Sequence, residues 1–102
     1  MLTLIESPLF GKQAAEVWTE REYYDFTFWL ACNPQAGDVV RATQPAARKV
    51  RWKRKGTGKS GGVRVIYYYL DEEYALYLST VYAKASTDAL SAKEINQLAR
   101  GV

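Results

Sequence analysis

Histidine is absent from this chain of 102 residues, and cysteine occurs only once, as Cys32. A single cysteine excludes an internal disulfide and is typical of a protein kept in a reducing cytosol. Zinc sites and Cys–His nucleophilic pairs are built from histidine and cysteine side chains, which this chain lacks or nearly lacks. We therefore expect neither a zinc site nor a Cys–His nucleophile. We therefore expect Cys32 to be packed as a small apolar side chain.

Long apolar runs are missing as well. No stretch reaches the ~18 consecutive apolar residues of a membrane span. Residues 1–6 have neither the basic stretch nor the apolar run of a secretory signal peptide. Hydrophobic residues nevertheless make up 48% of the chain, enough for one folded domain covering residues 1–102. We expect a cytoplasmic protein that has no membrane partner.

Positive charge is concentrated in one segment, residues 48–64, which contains no acidic residue although the chain has 11. Its basic residues are Arg48, Lys49, Arg51, Lys53, Arg54, Lys55, Lys59 and Arg64. A chain that is acidic elsewhere and basic in one segment is typical of a protein that binds a polyanion, above all nucleic acid. The alternative is a solvated loop whose lysines only aid solubility.

The stretch Gly58-Lys59-Ser60 is similar to the end of a phosphate-binding P-loop. That motif needs a glycine five positions before Gly58 and a helix after the serine. Position 53 is a lysine, and the following residues, 63–70, are rich in β-branched and aromatic side chains, which favour a strand. The sequence therefore predicts a flexible basic loop between two strands.

Local patterns predict an α+β fold. Capping boxes at Thr19–Glu22 and Ser91–Glu94, together with Ser7-Pro8, indicate where three helices begin. The predicted elements are a strand at 3–6, helices at 8–17 and 20–32, strands at 47–53, 63–70 and 74–84, and a short helix at 91–100. The last three strands form an antiparallel meander, to which we expect the N-terminal strand to add. The two N-terminal helices are expected to cover one face of this sheet and to leave the other free for function.

The second predicted helix has a broad apolar face. Tyr23, Phe26 and Leu30 recur at spacings of three and four, and Tyr24 and Phe28 extend the same stripe. We expect Tyr23, Phe26 and Leu30 to line the part of this face that packs on the sheet.

Alternation along the strands sorts the basic residues by face. Lys49 and Arg51 share one face. Arg64, Ile66 and Tyr68 also share a face, as do Thr80, Tyr82 and Lys84. Whether these three sets coincide depends on the strand register, which sequence alone leaves open.

Residues 47–84, "ARKVRWKRKGTGKSGGVRVIYYYLDEEYALYLSTVYAK", strongly resemble the RelE/HigB family of bacterial toxins from type II toxin–antitoxin modules. The shared features are a basic Arg-Lys-Val-Arg strand, a basic glycine loop, the run "GGVRVIYY", an acidic turn and a last strand ending in "YAK". The resemblance implies a small α+β domain with a curved antiparallel sheet. It also implies a ribosome-dependent mRNA interferase that cleaves mRNA in the A site. Its partners would be the 70S ribosome, mRNA and a cognate antitoxin of the HigA/RelB kind with a helix-turn-helix.

The resemblance also implies site residues. The family's basic catalytic positions fall on Lys49, Arg51, Arg64 and Lys84. Some relatives use a tyrosine after the last strand as an acid or base, but residues 85–90 contain none, which leaves Tyr68 and Tyr82 as substitutes. Relatives often carry a Gly-Thr-Gly-Gly segment where this chain has residues 42–45, so that loop is expected to differ. Expected contacts to RNA or the ribosome come from Arg48, Trp52, Lys53, Arg54, Lys55 and Lys59.

These residue types suit cleavage of RNA by its own 2′-OH. Fixed cations stabilise the charge that develops on the phosphate, and arginine matches phosphate oxygens with a planar fork. Neighbouring positive charges favour the neutral form of a lysine, which makes Lys49 a candidate base. The basic region has no histidine or carboxylate cluster, so we expect metal-independent chemistry and no cofactor.

Several alternatives remain open at this stage. The same basic patch could belong to a non-catalytic module that binds RNA or the ribosome, and a DNA-binding or structural partner is a third possibility. Aromatic side chains can stack on unpaired bases. Trp52, Tyr68 and Tyr82 are the candidates for such stacking, with core packing as the alternative for Trp52. Tyr67 and Tyr69, on the opposite face from Arg64, are expected to pack in the core.

Overall fold

The computed structural model of the protein describes residues 2–52, 62–83 and 90–100. In chain order its elements are the strand β1 (Thr3–Glu6), the helices α1 (Pro8–Val17) and α2 (Glu20–Cys32), the strands β2 (Asp38–Val39), β3 (Arg48–Trp52) and β4 (Val63–Leu70), a 3-10 turn (Asp71–Glu73), the strand β5 (Ala75–Ala83) and the helix α3 (Ala92–Arg100). Five predicted site residues, Lys53, Arg54, Lys55, Lys59 and Lys84, lie outside the described residues.

The described strands form one five-stranded sheet in the order β1-β5-β4-β3-β2. Strands β3, β4 and β5 form the predicted antiparallel meander. The N-terminal strand differs from the expectation, because β1 runs parallel to β5, with Thr3 opposite Ala75. The two-residue strand β2 was not predicted and pairs with β3. The α+β class is confirmed, and the sheet is mixed rather than purely antiparallel.

The predicted helix starts are confirmed by their hydrogen bonds. The Ser7 hydroxyl accepts from the Phe10 N–H at 2.9 Å. At α2, the Thr19 hydroxyl accepts from the Glu22 N–H at 3.2 Å, and the Glu22 carboxylate accepts from the Thr19 N–H at 2.8 Å. The same reciprocal pair joins Ser91 and Glu94 before α3. Each box satisfies N–H groups that a helix start leaves without an intrahelical partner.

Helix α1 closes the part of the β5 edge that β1 does not cover. The Ser7 N–H donates to the Leu78 carbonyl at 3.0 Å, and the Ser7 hydroxyl donates to the Ser79 carbonyl at 2.7 Å. The Gln13 side-chain oxygen accepts from the Val81 N–H at 3.0 Å. Backbone groups at this edge are therefore satisfied by α1 and by the residue that caps it.

The main core lies between the two N-terminal helices and the sheet. Phe26 and Leu30 of α2 are fully buried, as predicted, and the Trp18 ring stacks on Phe26 at 5.0 Å. The buried sheet residues on this side are Val50, Val63, Val65, Tyr67, Leu76, Leu78 and Val81. This packing confirms that the N-terminal helices cover one face of the sheet.

The apolar stripe of α2 is narrower than the sequence suggested. Tyr24 and Phe28, which extend the predicted stripe, are 60% and 73% exposed and do not join the packed face. Cys32 follows Phe28 by one turn and is also exposed, against the expectation of a packed thiol. Only part of the α2 surface packs on the sheet, and these residues line an open groove beside Leu2 and Leu4.

The opposite face of the sheet is not left open along its whole length. Ile95 of α3 is 1% exposed and packs in a second cluster with Ala47, Ile66, Tyr68 and Tyr82. The expectation that the helix-free face stays available for function therefore needs a correction. The C-terminal helix covers part of that face.

Candidate functional site

One transverse row of the sheet brings two arginines together on the face away from α1 and α2. Arg51 of β3 lies opposite Arg64 of β4, which in turn lies opposite Tyr82 of β5. Directly paired residues in a sheet project to the same side. The two guanidinium groups therefore rise from neighbouring strands, with a tyrosine on the next strand along.

The adjacent row adds a lysine to the same surface. Lys49 lies opposite Ile66, which lies opposite Thr80. The observed register, which the sequence left open, places the three predicted groups of residues on one face of the sheet. Lys84, a member of the third group, lies outside the described residues. We call the surface formed by Lys49, Arg51, Arg64, Thr80 and Tyr82 the cationic face.

A β-bulge in β5 sets the composition of this face. The register pairs Ile66 with Thr80, but it pairs the next residue of β4 with Leu78, so Ser79 is an extra, unpaired residue. The insertion reverses the alternation, and Tyr77 and Thr80 lie on the same side although they are three residues apart. Without the bulge, one of them would point into the main core.

The cationic face carries an electrostatic cost. Like charges directly opposite each other on neighbouring strands are destabilising, and Arg51 and Arg64 are in that arrangement. The flanking residues Ile66, Thr80 and Tyr82 carry no charge, and Asp38 of β2 lies on the same face opposite Lys49, not opposite either arginine. Arg51 is exposed and Arg64 and Lys49 are half-buried, so all three remain accessible. An anion that contacts both guanidinium groups would relieve their repulsion.

The two candidate tyrosines differ in position. Tyr68 is 4% exposed, belongs to the cluster under α3, and lies two rows from Arg64 with Ile66 between them. Burial raises the pKa of Tyr68, and the nearby Tyr77 adds to the shift, so Tyr68 stays a neutral phenol at neutral pH and offers no phenolate as a base. Tyr82 is also buried, at 7% exposed, and belongs to the same cluster, but it lies directly beside Arg64. Of the two substitutes proposed from the sequence, only Tyr82 adjoins the arginine pair.

Two predicted contact residues lie on the other side of the sheet. The Trp52 ring packs against Phe26 at 5.3 Å and against Trp29 at 5.0 Å. The Arg48 guanidinium donates to the Gln35 carbonyl at 3.1 Å and to the Gly37 carbonyl at 2.7 Å. Both side chains stabilise the fold on the helix-covered side, and we leave them out of the candidate site. Tyr67, fully buried in the main core, packs as expected.

Sequence reasoning missed Asn96, which fixes α3 over the end of the cationic face. Its side-chain oxygen accepts from the Gln44 N–H at 3.0 Å, and its amide donates to the Ala42 carbonyl at 3.1 Å. Ala42 has a φ of 64°, the left-handed region that favours glycine. The loop at 42–45, expected to differ in shape, is thus an attachment point for α3. In the sequence, the only indication of this attachment was a single asparagine directly after Ile95.

Neither a metal site nor a membrane-spanning helix is found among the described residues. Within residues 2–52, 62–83 and 90–100, no group of three or more histidine, cysteine, aspartate or glutamate side chains is arranged to hold a metal ion. In the same ranges, no helix combines the length and the apolar character that crossing a bilayer requires.

Comparison with known proteins gives the same architecture. No protein-family model matches the chain. The structure is similar to a double arginine-to-alanine mutant of the E. coli toxin RelE in the free state, with a TM-score of 0.62 and 18% sequence identity over 98% of this chain and 95% of that chain. It is also similar to a chain of the intact E. coli RelBE toxin–antitoxin complex, with a TM-score of 0.58 and 14% identity over 79% of this chain and 94% of that one. The resemblance read from residues 47–84 is confirmed at the level of the fold: the protein has the fold of RelE.

Proposed function

We propose that this protein is the toxin of a toxin–antitoxin pair and that it acts as an endoribonuclease on mRNA in the ribosomal A site. The single observation that carries the proposal is the arginine pair on the cationic face. Arg51 and Arg64 lie directly opposite each other on the sheet of a RelE-like fold, and Asp38, the acidic residue that the register brings to this face, is paired with Lys49 rather than with either arginine.

The chemistry follows from the groups available. The RNA 2′-OH attacks the adjacent phosphate, the bond to the 5′-oxygen breaks, and negative charge grows on the non-bridging oxygens in between. Arg64 and Arg51 are placed to bind those oxygens, because two guanidinium forks on neighbouring strands can grip one phosphate. Strands hold such side chains more firmly than loops do. No metal ion or cofactor is needed for this step.

Proton transfers are assigned to the remaining polar groups. Lys49, one row from the arginines, serves as the proton acceptor for the 2′-OH or as a third cation on the phosphate. Tyr82, beside Arg64, is the candidate proton donor to the leaving 5′-oxygen. Lys84 would extend the cationic face along the same strand by alternation.

Docking to the ribosome is assigned to the basic glycine loop. Lys53, Arg54, Lys55 and Lys59 supply positive charge for contacts to RNA phosphates, and such contacts give strong, salt-dependent affinity. The partner that controls the enzyme would be a cognate antitoxin with a helix-turn-helix. The similarity to a RelBE toxin–antitoxin chain supports this assignment.

The decisive experiment is single-turnover cleavage of A-site mRNA on programmed ribosomes, with ribosome binding measured separately. Arg64→Ala should lower the cleavage rate by about 10²-fold or more, the size typical of removing one charge-stabilising donor, while binding stays nearly unchanged. Arg64→Lys should rescue only part of the rate, because a point charge cannot reproduce the bidentate fork. The matched control is Arg21→Ala, since Arg21 is exposed on α2, on the helix-covered side.

Two outcomes would count against the proposal. If Arg64→Ala loses binding and cleavage in equal proportion, Arg64 only docks the protein. If the unaltered protein binds ribosomes but leaves mRNA intact, the non-catalytic RNA-binding function is correct instead. An mRNA with 2′-deoxy sugars at the cut site tests the nucleophile, since it should bind normally and resist cleavage.

A further inference from the structure

The strand register brings one carboxylate to the edge of the cationic face, and the mechanism proposed above does not use it. Asp38 of β2 lies directly opposite Lys49, and directly paired residues of a sheet project to the same side. The other acidic residue of the described strands, Glu6, lies on the helix-covered side, where its carboxylate accepts a hydrogen bond from Tyr23 of α2. Among the described strands, Asp38 is therefore the only acidic residue on this face.

The fold holds Asp38 in place through the residue before it. The Gly37 N–H donates to the Tyr67 hydroxyl at 2.9 Å, and the Gly37 carbonyl accepts from the Arg48 guanidinium at 2.7 Å. A Cβ atom at position 37 would lie 3.0 Å from the Lys49 carbonyl oxygen and 2.9 Å from the Tyr67 ring, so glycine suits this close approach. Asp38 is thus presented by a fixed backbone, as a side chain that selects a ligand needs to be.

A carboxylate is unfavourable on a surface that binds phosphate. Asp38 is exposed, and its charge weakens the positive potential that Lys49, Arg51 and Arg64 create. Stability does not account for its position, because an exposed cross-strand ion pair contributes little. An ionised carboxylate accepts hydrogen bonds and donates none. Its place on this face therefore indicates a hydrogen-bond donor on the bound RNA.

Distance distinguishes the two kinds of donor that RNA offers, the 2′-OH and the nucleobase. Arg51 follows Lys49 by two positions on β3, which makes it the diagonal neighbour of Asp38, and diagonal neighbours in a sheet are about 7–8 Å apart. The attacking 2′-OH is on the ribose carbon next to the one that bears the scissile phosphate, so it stays beside the arginine pair. The nucleobase extends away from the phosphate. Asp38 is therefore placed to meet a nucleobase rather than the attacking hydroxyl.

We propose that Asp38 is a specificity-determining residue, which binds the Watson–Crick edge of a nucleobase beside the cut and favours guanine. Guanine presents two parallel N–H donors on that edge, from N1 and N2, and they match the two oxygens of one carboxylate. Uracil presents one N–H between two carbonyl oxygens, which the carboxylate repels. Unpaired RNA bases are commonly recognised along this edge. The inference rests on the proposed function and names a determinant of substrate choice within it.

The test is single-turnover cleavage of A-site mRNA on programmed ribosomes at subsaturating protein, with each of the four nucleobases placed in turn at the two nucleotides that flank the cut. At one of these positions, the unaltered protein should cleave the guanine substrate at least about tenfold faster than the uracil substrate, as expected for one bidentate contact. Inosine, which is guanosine without the N2 amine, should lose most of this advantage. Equal rates for all four nucleobases at both positions would overturn the inference.

Asp38→Asn assigns the preference to the carboxylate. The amide keeps the shape but replaces one acceptor oxygen by a donor group, so the ratio of the guanine rate to the uracil rate should fall by about tenfold. Ribosome binding should be unchanged or tighter, because a negative charge leaves the cationic face. The matched control is Asp25→Asn, since Asp25 is exposed on α2, and it should keep the ratio. Both variants should unfold at the same urea concentration as the unaltered protein.

The remaining outcomes separate this inference from the proposed function. An unchanged ratio in Asp38→Asn would overturn the inference and leave Asp38 as a cross-strand partner of Lys49 only. An equal loss of rate on all four nucleobases, with ribosome binding retained, would also overturn it, because Asp38 would then take part in the chemistry. If the unaltered protein cleaves none of the substrates, the proposed function fails and the inference fails with it.

Discussion

Removing one hydroxyl from each of two adjacent tyrosines should change stability in opposite directions. Tyr67 and Tyr68 are neighbours on β4, and both are buried. The Tyr67 hydroxyl accepts from the Gly37 N–H at 2.9 Å and donates to the Pro34 carbonyl at 2.8 Å. The Tyr68 hydroxyl has no partner in the described residues. The same substitution, tyrosine to phenylalanine, therefore removes two hydrogen bonds at one position and none at the next.

The magnitudes follow from what each substitution leaves behind. Tyr67→Phe leaves a buried Gly37 N–H without a partner, and an unsatisfied buried group costs about 1–3 kcal/mol. Loss of the bond to Pro34 adds about 1 kcal/mol, so we expect a total loss of about 2–4 kcal/mol of unfolding free energy. Tyr68→Phe removes a buried polar atom that has no partner and should be neutral or stabilising by up to about 1 kcal/mol.

Urea unfolding followed by circular dichroism measures both variants against the unaltered protein at neutral pH. The slope with urea should be unchanged in each variant, so that the shift in midpoint reports stability alone. Equal losses for the two variants would refute the reasoning, since they would show that hydroxyl removal disturbs β4 regardless of hydrogen bonding. A loss below about 0.5 kcal/mol for Tyr67→Phe, the usual size for surface changes, would show that the 33–37 loop is not held as described.

Two further predictions concern the core and the response to pH. Leu30→Ala should lower the unfolding free energy by about 2–5 kcal/mol in the same urea assay, because Leu30 is fully buried in the main core and its removal leaves a cavity; a change as small as that of exposed Arg21→Ala would show that α2 packs differently. Burial raises the pKa of Tyr68 above its ordinary value of 10.0, so its contribution is constant below pH 10 and is lost as the pH rises from there towards the folded-state pKa. Unfolding titrations at several alkaline pH values should therefore show a shallower loss of stability for Tyr68→Phe than for the unaltered protein, and parallel curves would contradict the shift.

Features that depend on a few consecutive residues could be predicted from the sequence. The capping boxes at Thr19 and Ser91 form as expected, because both partners of each hydrogen bond lie within four residues. Alternation along β3 correctly separated Lys49 and Arg51 from Val50. It also placed Trp52 with Val50 on the helix-covered side, where the Trp52 ring packs against Phe26.

Features that depend on distant residues could not be predicted. The bulge at Ser79 has no local marker, yet it decides which side chains of β5 join the cationic face. The parallel pairing of β1 and the two hydrogen bonds of Asn96 join residues far apart in the chain. Whether Phe28 is exposed depends on the width of the α2 face that packs on the sheet. The pattern of apolar residues alone does not give that width.

The parallel pairing of β1 with β5 has a consequence for the order of folding. Residues 3–6 cannot complete their strand until residues 75–78 are available, and α1 docks on the edge of that same late strand. In a nascent chain that ends before residue 75, Phe10 and its neighbours stay exposed to solvent, because local helices alone cannot bury them. Contacts between such distant segments also slow folding. The N-terminal third must therefore wait for the fifth strand, and premature termination before residue 75 should yield a chain that is open to proteolysis.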